Sequence, residues 1–256
     1  MRKSYFCGKD KGMRLLLTAA TYPETAPFLE TLGPCSEVRE NLRSYALKKA
    51  MLDVLITGVG MVPAAFHLGR QLTRQTYDFI ITAGIAGSFT TDYPIGSVVH
   101  IVKESLPEMG AEDHEEFLSV FGMKLIEAHQ FPFRDGKLVN YFFENRETGS
   151  FTGMVNRLET VLRLEEVTRL KSVSGITVNT VHGRQESINR VVSLCHPDVE
   201  SMEGAAFLYA CLVSQTPFFQ VRAISNRVEP RDRSKWDIPL AIRRLNEFLN
   251  RLFLMD

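Results

Sequence analysis

Residues 51–63 read Met-Leu-Asp-Val-Leu-Ile-Thr-Gly-Val-Gly-Met-Val-Pro. Met51–Thr57 is mostly apolar, shorter than a globular helix and rich in branched side chains, so it predicts a buried strand. Gly58-Val-Gly60 stops that strand. Pro63 suits the first turn of a helix, where a missing N–H is harmless, and the helix is expected over about 63–75. Strand, glycine turn and helix in that order form the repeating unit of an α/β fold.

The same pattern extends in both directions. Upstream, Arg14–Ala20 (RLLLTAA) predicts a buried strand, and Thr25–Leu32 a short helix ended by Gly33. Downstream, Asp78–Ala83 (DFIITA) predicts a third strand that runs into Gly84-Ile-Ala-Gly87, and Gly96–Val102 a fourth. Residues 104–150 have few periodic positions; such an excursion suits a substrate cover or, equally, a subunit contact. Apolar residues at 155, 158, 162, 167 and 170 predict one helix over 154–170. Gly175–Val181 reads as a strand, Glu186–Leu194 and Gly204–Ser214 as helices, and Pro217–Ser225 as a buried strand. Ile238–Phe253 carries one apolar stripe at helical spacing. The fold class that follows is α/β, a three-layer-like sandwich with a central mixed, largely parallel sheet. A single domain is expected over 13–256, behind a flexible extension over 1–12. Ligands in such folds sit at the carboxyl ends of strands. That draws together Ala20–Glu24, Gly84–Gly87, Thr180–His182, Met202–Glu203 and Asn226.

The chain has 256 residues, enough for one sizeable core. Its 30 basic and 30 acidic side chains cancel, which argues against a nucleic-acid or acidic-membrane partner. The four cysteines lie far apart and the six histidines show no HExxH spacing, so no disulfide framework, metal or zinc site is expected. Reduced thiols suit a cytoplasmic protein. MRKSYFCGKDKG starts basic but no apolar core follows, unlike a signal peptide. The least polar stretch, 54–66, is too short to span a bilayer.

Taken one at a time, the polar candidates have plain structural explanations. Gly58–Gly60 and Gly84–Gly87 are neither GxGxxG nor Walker loops, and a glycine pair at a strand end is commonly a tight turn. Glu203 opens a helix, where the macrodipole favours a carboxylate. Glu24 follows Pro23 and can cap a helix; Asn226 can cap or turn the chain.

Their order is more specific than any one of them. Glu24 after the first strand, TAGIAGS (82–88), VESMEGAAF (199–207) and VRAISN (221–226) together resemble the purine nucleoside phosphorylase/nucleosidase superfamily, in its nucleosidase branch. The resemblance covers about residues 13–253. SNRVEPRDRSKWDIPLAI (225–242) and TVNTVHG (177–183) look more narrowly like the futalosine hydrolases of the alternative menaquinone pathway. The resemblance implies a fold of the nucleoside phosphorylase type and cleavage of a small-molecule nucleoside with no cofactor. Glu24 would activate water, Glu203 would hold the ribose hydroxyls and Met202 would pack on the ribose. Asn226 would hold the base, while Gly84, Ile85, Ala86, Gly87, Val181, His182 and Ser201 would line the site. It also implies a homo-oligomer.

Two departures bear on the substrate. Ser201 precedes Met202 where adenine-releasing nucleosidases have Glu-Met-Glu, and Asn226 stands where they have aspartate. Hypoxanthine offers N7 and O6 as two acceptors, which an amide NH₂ can serve. The superfamily's phosphorylases hold phosphate with arginines, in a Gly-Asp-Pro-x-Arg loop and two residues before the central glycine of the later loop. Here those places hold Ala20-Thr-Tyr-Pro-Glu24 and Thr82, so no cation is expected at the phosphate position and hydrolysis is expected over phosphorolysis. The alternatives are a methylthioadenosine-type nucleosidase, or a non-catalytic nucleoside-binding protein on the same fold. For the substrate's benzoate carboxylate the candidates His182, Arg184, Arg134 and the arginines of 231–233 stand equal.

Overall fold

The computed structural model describes residues 12–114, 116–142 and 149–253. The expected N-terminal extension lies outside them apart from Gly12. The apolar runs form strands and the striped segments form helices. In chain order they are β1 (Met13–Ala19), α1 (Tyr22–Thr31), β2 (Glu37–Arg39), β3 (Leu42–Ala46), β4 (Ala50–Ile56), α2 (Met61–Arg74), β5 (Phe79–Ser88) and β6 (Val98–Ser105). The poorly periodic excursion holds β7 (Gly110–Asp113) hairpinned with β8 (Glu116–Ser119), then β9 (Phe133–Arg134) and β10 (Lys137–Val139). The remainder is α3 (Gly149–Leu158), α4 (Leu164–Thr168), β11 (Lys171–Thr177), α5 (Gln185–Cys195), β12 (Val199–Ser201), α6 (Gly204–Ser214), β13 (Phe218–Arg227) and α7 (Ile238–Leu252).

The central sheet is mixed. β4, β1, β5 and β13 lie side by side in parallel, with Leu16 opposite Asp53 and Ile80, and Thr82 opposite Gln220. β12 joins β5 antiparallel, then β11 and β6 follow in parallel, and β6 pairs antiparallel with β13. Strands β5, β12, β11, β6 and β13 therefore close a ring, and β1, β4, β3 and β2 extend from it as an open wing. Alternation along β1 sorts the core into two layers. Leu15 and Leu17 face Phe28, Phe248 and Leu249 of α1 and α7, while Leu16 faces Leu68 of α2 and Leu208 of α6. Each leucine so buried contributes about 1.5–3 kcal/mol.

Three elements depart from expectation. β5 does not end at Ala83; it continues through Gly84–Gly87, because β12 and β13 supply hydrogen bonds on both sides. β11 begins at Lys171 and ends at Thr177, so Val181 and His182 lie on the loop beyond it. The single helix expected over 154–170 is two helices. Between them Arg163 N–H donates to Leu252 O at 2.7 Å and Leu162 bridges to Phe253, tying the break to the end of α7. Among the described residues no helix is long and apolar enough to cross a membrane.

Candidate active site

The carboxyl ends of β1, β5, β12 and β13 converge. Glu24 sits in the first turn of α1, where its Oε2 accepts from Thr21 N–H at 2.7 Å and from Thr21 Oγ at 3.0 Å. It is thus the capping residue that the simplest explanation required. Its other oxygen leaves the helix and accepts from Ile85 N–H of β5 at 3.2 Å. Burial pushes its carboxyl above the ordinary range. Arg222 and the Thr21 hydrogen bonds oppose that rise, and Glu203 adds to it. Glu24 is therefore a buried carboxyl with a second carboxylate nearby.

Glu203 is the N-cap of α6 but makes no side-chain bond to that helix. Its Oε1 accepts instead from Gly60 N–H at 2.8 Å, at the start of α2. Gly60 has φ +97°, a conformation that side chains resist, so the glycine turn read as a loop serves to aim this N–H. Asn226 lies inside β13, not after it. A bulge at Ser225 puts it opposite Gly87, where its Nδ2 donates to Arg227 O at 3.0 Å and its Oδ1 accepts from Ser225 Oγ at 2.8 Å.

The four residues Gly84–Gly87 give the site room in place of a phosphate loop. A Cβ on Gly84 would lie 2.1 Å from Arg222 Nη1 and 3.0 Å from Glu24 Oε1. A Cβ on Gly87 would lie 3.1 Å from Asn226 Nδ2. Ile85 supplies its N–H to Glu24, and Ala86 supplies its carbonyl to Ser225 Oγ at 3.2 Å.

Ser201 ends β12, with its Oγ 3.4 Å from Gly204 N at the head of α6, and Met202 is half-buried in the bend that follows. His182 is gripped by Glu200, whose Oε2 is 2.6 Å from the imidazole Nδ1 and whose Oε1 accepts the His182 N–H at 3.1 Å. Val181 packs beside it on Val191 and Ile176. Ser201 holds the place before Met202, and the neighbouring Glu200, on the opposite side of the strand, is committed to His182.

Arg222 was not anticipated. It reads as one polar break in an apolar strand, yet its side chain is 1 % exposed and reaches under Gly84 to Glu24. Its Nε and Nη2 have no hydrogen-bond partner among the described residues. The expectation that no cation stands near the phosphate position is therefore corrected: one does, brought by β13 rather than by either loop. Beside Glu24 it is the counter-ion of a carboxylate, which leaves no net positive charge for a phosphate dianion. Asn246 was missed as well; α7 uses it to hold Glu24 O at 2.8 Å. Among the described residues no group of three or more His, Cys, Asp or Glu side chains could hold a metal ion.

The family model for the phosphorylase superfamily matches residues 14–253. The chain belongs to that superfamily. Among its curated relatives, the futalosine hydrolase of Streptomyces coelicolor is 29% identical over 207 residues, covering 78% of this chain and 77% of the relative. The futalosine hydrolase of Acidothermus cellulolyticus is 28% identical over 236 residues, covering 91% and 86%. Within the superfamily's fold, the solved structure of futalosine hydrolase from Helicobacter pylori superposes with a TM-score of 0.71 at 15% identity, covering 93% of this chain and 96% of that one.

Proposed function

We propose that the chain is a futalosine hydrolase, cleaving the N-glycosidic bond of futalosine with water to give hypoxanthine and dehypoxanthine futalosine in the futalosine route to menaquinone. The observation that carries this is Glu24: a carboxyl raised by burial, within electrostatic reach of Arg222 beneath Gly84, stands where the superfamily's phosphorylases need unpaired positive charge.

The geometry supplies a role for each group. Departure of the base leaves positive charge on the ribose, as in glycoside cleavage. Glu203 has one oxygen held by Gly60 N–H, and the other, which no hydrogen bond from the described residues engages, would take a ribose hydroxyl. An ionised carboxylate has about four lone-pair sites. Glu24 therefore accepts a water proton while keeping its bonds to Thr21 and Ile85. Base assistance of that kind is worth about 10²–10⁴-fold. The Asn226 NH₂ faces the two acceptors of hypoxanthine, and its hydrogen bond to Arg227 O is exchanged for one to the base. In the net reaction, hydroxide from water ends on the ribose and its proton on hypoxanthine.

For the substrate's benzoate carboxylate, Arg231 is the best-placed cation. Its N–H donates to Gly183 O at 3.1 Å, next to His182, and its guanidinium stacks 4.8 Å over Trp236. The cavity of about 290 Å³ on the far side of His182 is less suited, since Glu108 and Glu112 line it beside Arg190 and would repel a carboxylate. A homo-oligomer fits the apolar side chains exposed on the packed pair α2 and α6, namely Val62, Phe66, Tyr209 and Val213. Cys35, Cys195 and Cys211 are free thiols, as the reducing cytoplasm permits.

The test is incubation of purified protein with futalosine, following hypoxanthine by chromatography, with Glu24→Gln as control. Hypoxanthine release by the parent and a loss of at least 100-fold in the variant are expected. Release of adenine from methylthioadenosine with futalosine untouched would reject the assignment.

A further inference from the structure

Glu104 has no place in the mechanism above, yet it is among the most deeply buried ionisable groups of the chain, 1 % exposed on β6. Its Oε1 accepts from Gln220 Nε2 at 2.6 Å and its Oε2 from Thr177 Oγ at 3.0 Å. A hydroxyl has one proton, and Thr177 gives it to Glu104. The Thr177 oxygen therefore presents a lone pair to Ala205 N–H at 2.7 Å, one of the orphan donors in the first turn of α6. Two glycines make the space. A Cβ at Gly204 would lie 2.0 Å from Glu104 Oε1, and one at Gly175 would lie 2.8 Å away. Gly204 follows Glu203 directly, so this carboxylate sits behind the residue assigned to the ribose.

The groups that face Glu104 come from every neighbouring strand and from α6. β11 brings Thr177 and Gly175, β13 brings Gln220 and the Arg222 guanidinium, α6 begins with Glu203, and β10 sets Leu138 opposite in register. Arg222 is the only cation among them and is shared with Glu24. One guanidinium thus serves carboxylates on two sides, and its Nε and Nη2 remain without partners among the described residues.

We propose that Glu104 is a positioning residue for the glycosidic cleavage, setting Glu203 through the head of α6 and placing a third negative charge behind the ribose where the transition state becomes cationic. This rests on the hydrolase function proposed above. Buried charge acts at close range with little screening, so one added carboxylate is worth about a tenfold rate change. Burial raises Glu104 to about 7 against the pull of Gln220, Arg222 and Thr177, so the charge appears as the solution passes neutrality.

The experiment is the pH profile of kcat and KM for parent, Glu104→Gln and Glu104→Asp, with the thermal midpoint of each recorded at every pH. Gln is isosteric, and its NH₂ can serve Gln220 Oε1, which now lacks a partner. In the parent, kcat is expected to rise through a limb centred near pH 7. In Glu104→Gln the plateau falls about tenfold, the limb near pH 7 is lost, and KM stays within twofold. Glu104→Asp restores a limb. The midpoint difference between Glu104→Gln and parent grows as pH rises from 5 to 8, with or without substrate. An unchanged kcat profile in Glu104→Gln, a change confined to KM, or no limb in a folded Glu104→Asp would overturn the proposal. A parent that releases no base from any purine nucleoside rejects the hydrolase function and this inference with it, whereas an active parent matched by Glu104→Gln rejects this inference alone.

Discussion

Gly84 has no side chain because Arg222 occupies the place where one would lie. Its conformation is ordinary strand, so the constraint is volume rather than backbone freedom. A methyl group there meets a guanidinium nitrogen at 2.1 Å and a Glu24 oxygen at 3.0 Å. Arg222 is hemmed in by β5, β6 and the core, so it cannot retreat as an exposed arginine would. Overpacking of this kind costs about 1–3 kcal/mol. Gly84→Ala is therefore expected to lower the thermal midpoint by several degrees and to reduce kcat at least 100-fold, since the methyl group displaces both the Arg222 guanidinium and the Glu24 carboxyl that we propose activates water. A variant with both values near the parent's would show that Arg222 and Glu24 do not act as a unit. These residues also show how far the sequence could be read. Glu24, Glu203 and Asn226 are visible through their order along the chain; Glu24 and Glu203 lie within electrostatic reach of each other, and Asn226 stands opposite Gly87 on the neighbouring strand. Arg222, Glu200 and Glu104 were invisible, because a polar residue within an apolar run shows nothing of the partner that a distant strand brings to it.

At the scale of elements, the site depends on a helix that is deliberately left open. α1 contains Pro27, which lacks the N–H an unbroken helix would use. One residue on, Phe28 N–H donates to Asn246 Oδ1 at 2.8 Å, while Glu24 O accepts from Asn246 Nδ2 at 2.8 Å. Those two backbone groups are the i and i−4 partners of a regular helix, and the amide from α7 stands between them. A buried side chain thus ties the turn of α1 that carries Glu24 to α7. Asn246→Leu leaves two buried backbone groups to re-pair or go unpaired, at about 1–3 kcal/mol each. The expected result is a lower unfolding midpoint and a fall in kcat of about tenfold or more with KM little moved. Unchanged kcat in a destabilised Asn246→Leu would mean that α1 holds Glu24 without help from α7. Element boundaries read from sequence went astray where long-range pairing overrode local pattern. The glycines of β5 signalled a turn, but pairing with β12 and β13 keeps them in the strand. The stripe over 154–170 signalled one helix, but the end of α7 pulls it apart at Leu162 and Arg163. By contrast α6 and α7 are legible nearly to the residue, α6 as an unbroken apolar, Ala-rich run and α7 because its stripe packs on the core at helical spacing.

Across the whole molecule, the two ends of the sheet satisfy their buried charges differently. At the amino ends, Asp53 accepts from Arg14 Nε at 2.9 Å, Tyr77 OH at 2.7 Å and Ser44 Oγ at 2.6 Å, a fully partnered cluster. At the carboxyl ends Arg222 and Gln220 keep buried polar atoms without partners among the described residues. Incomplete satisfaction at one end is what a ligand site requires and what stability alone would remove. The imbalance has a signature in stability against pH. Glu104 is raised to about 7, above its unfolded value near 4.5, so the native state holds an extra proton between those limits. Its contribution therefore falls as pH rises from 4.5 to 7. His100, buried on β6, is lowered by burial to about 4 from an unfolded value near 6.5, so the unfolded state holds the extra proton there. Its contribution falls as pH drops from 6.5 to 4. Each amounts to about 3 kcal/mol, roughly 6–12 °C in midpoint. The two slopes oppose each other across pH 4.5–6.5 and nearly cancel in the parent. Removing one exposes the other. In Glu104→Gln the midpoint relative to the parent should climb as pH rises from 4.5 to 7. In His100→Gln it should climb as pH falls from 6.5 to 4. Scanning calorimetry of the three proteins over that range reads both differences directly, free of the background common to all of them. Parallel curves for His100→Gln and parent would place the imidazole outside this balance. Divergence in opposite senses would show that one strand, β6, carries both titrations, with the acid near the site and the histidine four residues nearer its amino end.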